Sequence, residues 1–288
     1  KKRDCLSLMD FSRSELDSVI QRSSEFRQMH ENKVVYQPLI GKTAAIILQM
    51  ESTRTRVGFE AGLAQLGAHP IFLSTKDTQL GRGEPISDLG KVLSGMVDLI
   101  VIRTPRQEDV HLLADSSSIP VINAMTNLLH PCQLLADMQT FQELRGPIRD
   151  KNVTFVGDGH NMCHSYINAS RQWDFNLTVC CPMGFEPNTD ILEREKKPKL
   201  ERTPEKAVSG ADLVVTDVWS SMGHEGSEME RNETFKPFQI TESLLDLAKE
   251  NALFMHCLPA HRGEEVNESI LDDERSVVWH EAGNRLHS

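Results

Sequence analysis

Short apolar runs that stop abruptly at polar residues recur along the whole chain, and this recurrence most constrains what it can fold into. TAAIILQM at 43–50 stops before Ser52, DLIVIRT at 98–104 ends on Arg103 and Thr104, and PVIN at 120–123 ends on Asn123. Further on, VTFVGDG at 153–159 precedes Asn161, and LTVCCP occupies 177–182. DLVVTDVW at 212–219 carries Asp217 near its end, and ALFMHCLP at 252–259 carries Cys257. These seven runs read as buried strands, and helical patterns separate them. Such alternation gives an α/β fold with mostly parallel sheets flanked by helices. Chemistry then gathers at the carboxyl ends of the strands, above all where the strand order reverses. The apolar portions are core whatever the function.

A chain of 288 residues is long enough for two domains. A helix is expected over Leu134 to Leu144, with a break at Gly146, Pro147, Arg149 and Asp150. The division is placed there, giving a first domain over 1–147 and a second over 148–274. Around 186–206, Pro187, Pro198 and Pro204 sit among charged residues and read as a solvated connector. The net charge of −11 argues against a nonspecific nucleic-acid binder, whose footprint is basic. It leaves room for a small anion held by a few local arginines. The six cysteines show no CxxC spacing and are expected to be reduced. No apolar run is long enough to span a membrane. The opening Lys1, Lys2 and Arg3 carry no signal-peptide core, so the expected compartment is the cytoplasm, or an organelle matrix if a presequence has been removed.

The sharpest local feature is Ser52-Thr53-Arg54-Thr55-Arg56, between an apolar run and a helical pattern through Phe59, Leu63 and Leu66. Hydroxyls and backbone N–H groups at a helix start can surround an oxyanion. Arg54 adds a planar, permanently charged fork suited to phosphate. The competing reading is a capped surface helix. Three other segments could complete an anion-and-carbonyl site: Arg103 with Thr104, the break His130-Pro131-Cys132-Gln133, and Arg285 near the end. Taken singly, Arg103 reads equally well as structural, and His130 as a helix-cap or core histidine. In the second half, Asn161 and Asp217-Val218-Trp219-Ser220-Ser221-Met222-Gly223 follow strands and could orient an amino acid's charged groups.

With STRTR at 52–56, IRT at 102–104, HPCQ at 130–133 and HCLP at 256–259 in this order, the chain resembles the aspartate/ornithine carbamoyltransferase family over nearly its whole length. The resemblance implies a carbamoyl-phosphate domain followed by an amino-acid domain, with 275–288 returning to the first. It also implies a homotrimer with active sites between neighbouring subunits, and a role in arginine biosynthesis. By matching position, Ser52, Thr53, Arg54 and Thr55 resemble the phosphate-binding residues. Arg103, His130 and Gln133 look like the groups that hold and polarise the carbamoyl moiety, and Leu258 like the residue whose carbonyl meets its amide. Gln79 resembles the residue supplied across the subunit interface, and Arg285 the late arginine that returns to the site. DVWSSMG looks like an ornithine-recognition loop, which makes Asn161, Asp217, Ser221 and Met222 the counterparts of ornithine-holding residues. Cys257 resembles the residue beside the side-chain amine. Arg54, Arg103, His130, Asp217 and Cys257 are the implied catalytic set, for carbamoyl transfer from carbamoyl phosphate to L-ornithine without a cofactor. A loop centred on 219–226 is the implied moving element.

His256, Cys257 and His261 invite a metal reading, but their spacing is no usual paired-ligand pattern, and no metal is expected. Trp219 reads as packing rather than ligand stacking. Several positions depart from the family pattern. Met50 and Glu51 stand where lysine and a small or polar residue are common, and Gly58 stands where serine is familiar. Leu89-Gly90 replaces Thr-Ala, and Gly283 replaces an acidic residue. A carboxylate at 51 weakens anion binding if it faces inward and matters little if it faces solvent. Two alternatives therefore stay open: another amine acceptor, or a noncatalytic regulatory paralogue. A dehydrogenase is disfavoured because Gly157-Asp158-Gly159 lacks the full dinucleotide spacing.

Overall fold

The computed structural model describes residues 2–74, 83–193, 196–219 and 228–288. Gln79, Ser221, Met222 and nearly all of the 219–226 loop lie outside these residues. Two compact units emerge, one of Lys1–Gln139 with Gly283–Ser288 and one of Thr140–Ala282.

The first unit contains α1 (Arg13–Glu31), β1 (Thr43–Leu48), α2 (Thr53–Gln65), β2 (His69–Ser74) and α3 (Ile86–Ser94). It continues with β3 (Leu99–Arg103), α4 (Gln107–Ser116), β4 (Val121–Met125) and the start of α5 (Pro131–Arg145). Its four strands are parallel in the order β2-β1-β3-β4. The period-two alternation of β1 sends side chains to both faces. Ala45 and Ile47 pack with Leu89, Leu93, Val110 and Leu113 of α3 and α4, whereas Ala44, Ile46 and Leu48 pack with Leu63 of α2. Each fully buried isoleucine contributes about 1.5–3 kcal/mol. The order reverses at β1, which leads to β2 on one side and has β3 on the other. The loop after β1 and the loop after β3 therefore sit at a switch point.

The second unit holds β5 (Asn152–Val156), α6 (Asn161–Trp173), β6 (Asn176–Cys180), α7 (Thr189–Leu192) and β7 (Lys199–Glu201). After these come α8 (Pro204–Val208), β8 (Leu213–Thr216), α9 (Glu228–Phe235), α10 (Glu242–Leu245), β9 (Leu253–His256) and α11 (Val278–Asn284). Its parallel order is β7-β6-β5-β8-β9, with the reversal between β5 and β8.

Both sheets match the α/β expectation, with two differences in detail. The described residues include β2 and β7, which no apolar run announced, because none of their residues is buried, unlike most of those in the other edge strands β4 and β9. The 186–206 stretch is also more than a solvated connector. It contains α7 and β7, and Arg202 donates to the carbonyls of Cys181 (2.9 Å) and Pro182 (3.0 Å). The units divide inside α5, whereas the Gly146-Pro147 break marks the end of that helix. The last turn of α5 belongs with the second unit through Arg145 to the Asn251 carbonyl (2.8 Å) and Glu143 to His280 (2.7 Å). Likewise the return to the first unit begins at Gly283, because Val277 N–H still bonds the Phe254 carbonyl at 3.0 Å.

Two glycines after β5 are required for different reasons. Gly157 has φ +137°, a region that side chains disfavour. At Gly159 an added Cβ would lie 2.3 Å from Pro187 N and 2.6 Å from the Phe185 carbonyl oxygen, so only a missing side chain lets the 185–187 backbone approach. Gly283 has open space around it. Gly159→Ala is expected to destabilise the chain by more than about 4 kcal/mol. Gly283→Ala should be neutral or stabilising by up to about 1 kcal/mol. Urea denaturation of the two variants checks both values.

Candidate active site

The first cluster grows from the switch point of the first unit. Ser52 is extended (φ −162°, ψ 111°) and caps α2, its Oγ accepting from Thr55 N–H at 3.2 Å and donating to Thr55 Oγ1 at 3.0 Å. Capping uses one of the helix's free amino-terminal N–H groups and leaves others for an anion. From the end of β3, Arg103 Nη1 donates to the same Thr55 Oγ1 at 3.2 Å, and Arg103 is only 9% exposed. Beside it, Thr104 Oγ1 donates to Gln49 Oε1 (2.7 Å) while Gln49 N–H donates to the Arg103 carbonyl (2.9 Å), which ties the ends of β1 and β3 together. Thr53 is exposed and Arg54 half-buried on the same helix turn.

At the start of α5, His130 is buried, and this burial pushes its pKa well below the ordinary 6.5, with the charges of Arg285 and Arg103 adding to the effect. The imidazole is therefore neutral at neutral pH and carries one N–H to donate. Gln133 donates to Asp137 Oδ1 at 2.8 Å and accepts from Arg285 Nη1, so the returning chain end meets α5 at the expected residue. Burial pushes the neighbouring Cys132 thiol up to about 11, with Arg285 opposing, which makes it a poor nucleophile. Glu51, the acidic departure beside STRTR, is exposed. Gly58 lies under the Arg285 carbonyl, where a Cβ would make an ordinary 3.5 Å contact.

The second cluster lies at the strand ends of the second unit. Asn161 is buried at the first position of α6, and its Oδ1 accepts from Met162 N–H at 2.8 Å. After β8, Asp217 Oδ1 accepts from Val218 N–H (2.8 Å) and from the Cys257 thiol (3.1 Å). These two predicted residues are thus brought together, 40 positions apart in sequence. Leu258 also lies here, at φ +57°. Its N–H donates to His256 Nδ1 at 2.9 Å, which leaves the ring proton on Nε2 facing Glu265 Oε1 at 3.0 Å. Glu265 Oε1 also takes His261 N–H (2.6 Å), and Glu281 takes His256 N–H (3.0 Å). His256 and Glu265 therefore hold the Cys257-Leu258 backbone. The sequence reading treated His256 only as a metal donor, and nothing marked Glu265, whose role depends on a fold contact. Asp217, His256 and Cys257 have potential ligand atoms within 4.8 Å of one another, but both ring nitrogens of His256 are already engaged.

Trp219 is 2% exposed and stacks on Phe235 with ring centroids 6.0 Å apart, a packing role as expected.

The fold and clusters define a two-unit α/β protein with a cationic anion cradle in one unit and an acid–thiol pair in the other. A sequence profile described as aspartate/ornithine carbamoyltransferase, carbamoyl-P binding domain, matches residues 3–143, and its Asp/Orn binding domain counterpart matches 149–288. The ornithine carbamoyltransferase of Psychrobacter sp. (strain PRwf-1) is 54% identical over 287 residues, covering 99% of this chain and 94% of that protein. The anabolic ornithine carbamoyltransferase of Pseudomonas aeruginosa is 50% identical with the same coverage. Among solved structures, the ornithine carbamoyltransferase of Burkholderia thailandensis E264 superposes with TM-score 0.92 at 44% identity, covering 99% of this chain and 95% of that one. That of Pyrococcus furiosus gives 0.94 at 42%, covering 99% and 94%. The chain belongs to the aspartate/ornithine carbamoyltransferase family.

His130 also makes a stability prediction. Its folded pKa is depressed, so below about 6.5 the unfolded chain binds a proton that the folded chain refuses. The contribution is complete above about 6.5 and is lost as pH falls toward the folded value, by up to about 1.4 kcal/mol per pH unit. Urea midpoints measured at pH 7.5 and 5.5 should therefore diverge less in His130→Gln than in the unaltered chain.

Proposed function

We propose that this chain transfers the carbamoyl group of carbamoyl phosphate to the side-chain amine of L-ornithine, giving L-citrulline and phosphate. The observation that carries the reading is the buried Arg103 guanidinium on Thr55 at the capped start of α2, a ready cradle for a phosphorylated carbonyl. The ornithine assignment is supported by the Asp217–Cys257 pair and by relatives named for that acceptor.

Ser52, Thr53, Arg54 and Thr55 hold the phosphate. Arg103 and neutral His130 donate to the carbamoyl oxygen as negative charge develops there, which stabilises the transition state more than the ground state. Gln133 and the Leu258 carbonyl hold the carbamoyl amide, while Arg285 orients Gln133. Asn161, Asp217, Ser221 and Met222 hold the amino acid, and Cys257 stands beside the attacking nitrogen. That nitrogen must be neutral, although an alkyl ammonium titrates at about 10.4. Asp217 favours the charged amine, so it orients the group and is not the base. The nitrogen lone pair forms the new C–N bond, the C–O bond to phosphate breaks, and the departing phosphate takes the amine proton. The family pattern supports a homotrimer in which a neighbouring subunit supplies Gln79. No step needs a cofactor.

Purified chain given carbamoyl phosphate and ornithine is expected to form citrulline and phosphate in equal amounts, with aspartate and putrescine as poor acceptors. Arg54→Ala should lower kcat/KM for carbamoyl phosphate by about 100-fold or more. Cys257→Ala should raise the ornithine KM well above any change for carbamoyl phosphate. Product only with another amine would overturn the acceptor, and no product from a folded assembly would overturn the transfer.

A further inference from the structure

Arg231 on α9 has no part in the scheme above, yet it bonds two separate loops of the second unit's site region. Its Nη2 donates to Asp158 Oδ2 at 2.5 Å, and Nε and Nη2 donate to the Trp219 carbonyl at 3.0 and 2.7 Å. The guanidinium lies 4.8 Å from the Phe185 ring centroid and 5.5 Å from that of Phe235. Those rings meet edge-on at 4.7 Å, and Trp219 stacks on Phe235, so the aromatic bed beneath the cation is itself packed. Asp158 stands on the loop after β5, shortly before Asn161, and Trp219 on the loop after β8, shortly after Asp217.

We infer that Arg231 is a positioning residue for the acceptor: it clamps the loop bearing Asn161 to the loop bearing Asp217, and so sets affinity for the amino acid. This rests on the carbamoyl-transfer reading and names a further determinant within it. The physical case has two parts. One guanidinium bonded to both loops fixes their separation through its rigid planar fork, which the freely rotating ammonium of a lysine cannot do as well. It also balances Asp158, whose carboxyl is raised by burial and by Asp217 while Arg231 and His160 pull it down. With Asp158 balanced, the carboxylate of Asp217 is left to meet the substrate's ammonium.

The test compares Arg231→Met, Arg231→Lys and Asp158→Asn, together with the Arg231→Met/Asp158→Asn double variant. Steady-state KM for each substrate, kcat and melting temperature are measured for all of them. Arg231→Met is expected to raise the ornithine KM roughly tenfold or more while the carbamoyl phosphate KM moves less than about twofold. Arg231→Lys should recover part of the loss, and the double variant should be little worse than the worse single one. An unchanged ornithine KM overturns the inference, as does a loss spread equally over both substrates. Should Arg231→Met fail to melt cooperatively, Arg231→Lys and Asp158→Asn carry the same comparison, and normal ornithine KM in both overturns it. Unaltered chain that forms no citrulline counts against the functional reading, whereas active chain with normal variants counts against Arg231 alone.

Discussion

A guanidinium cannot shed its charge when it is buried, and Arg103 is buried at the end of β3. That charge must be met by hydrogen bonds and by whatever binds beside it, because an unmet buried charge is costly. The fold supplies Thr55, itself held by Ser52 at the start of α2. The meeting is possible because β1 and β3 are neighbours at the point where strand order reverses. Arg103 and Arg285 also reinforce the burial that keeps His130 uncharged. The outcome is a site rich in donors and positively biased, on a chain whose net charge is −11. A dianion complements such a site, and local placement outweighs the overall charge.

The second unit reverses the polarity. Asp217 receives the Cys257 thiol, and the adjoining Cys257-Leu258 backbone is held by the His256–Glu265 pair. An acidic group at a strand end suits an ammonium-bearing substrate. Both units thus use one device: rigid parallel strands end in polar side chains whose neighbours fix their direction.

Much of this was legible in the sequence. The central strands declared themselves because burial on both faces demands unbroken apolar runs. STRTR was legible because a hydroxyl cap and an arginine coincide with a helix start. Edge strands β2 and β7 were hidden by their exposed positions. Arg231 and Glu265 were hidden for another reason: their roles are set by contacts of the fold, Arg231 lying 73 positions from Asp158 and Glu265 meeting His256 across an irregular loop. The departures from the family pattern become intelligible in place. Leu89 joins the core of the first unit. Gly90 lets α3 approach α4 so closely that a Cβ would meet Ser116 Oγ at 2.4 Å and Ser117 Oγ at 2.9 Å.

The most direct test of the central claim is calorimetric titration of phosphonoacetamide, an unreactive carbamoyl phosphate analogue with a methylene in place of the bridging oxygen. It should bind the unaltered chain saturably at one site per chain, and bind Arg103→Met about 100-fold more weakly at equal thermal stability. Equal binding to both proteins would contradict the claim that the buried Arg103 guanidinium organises the anion site.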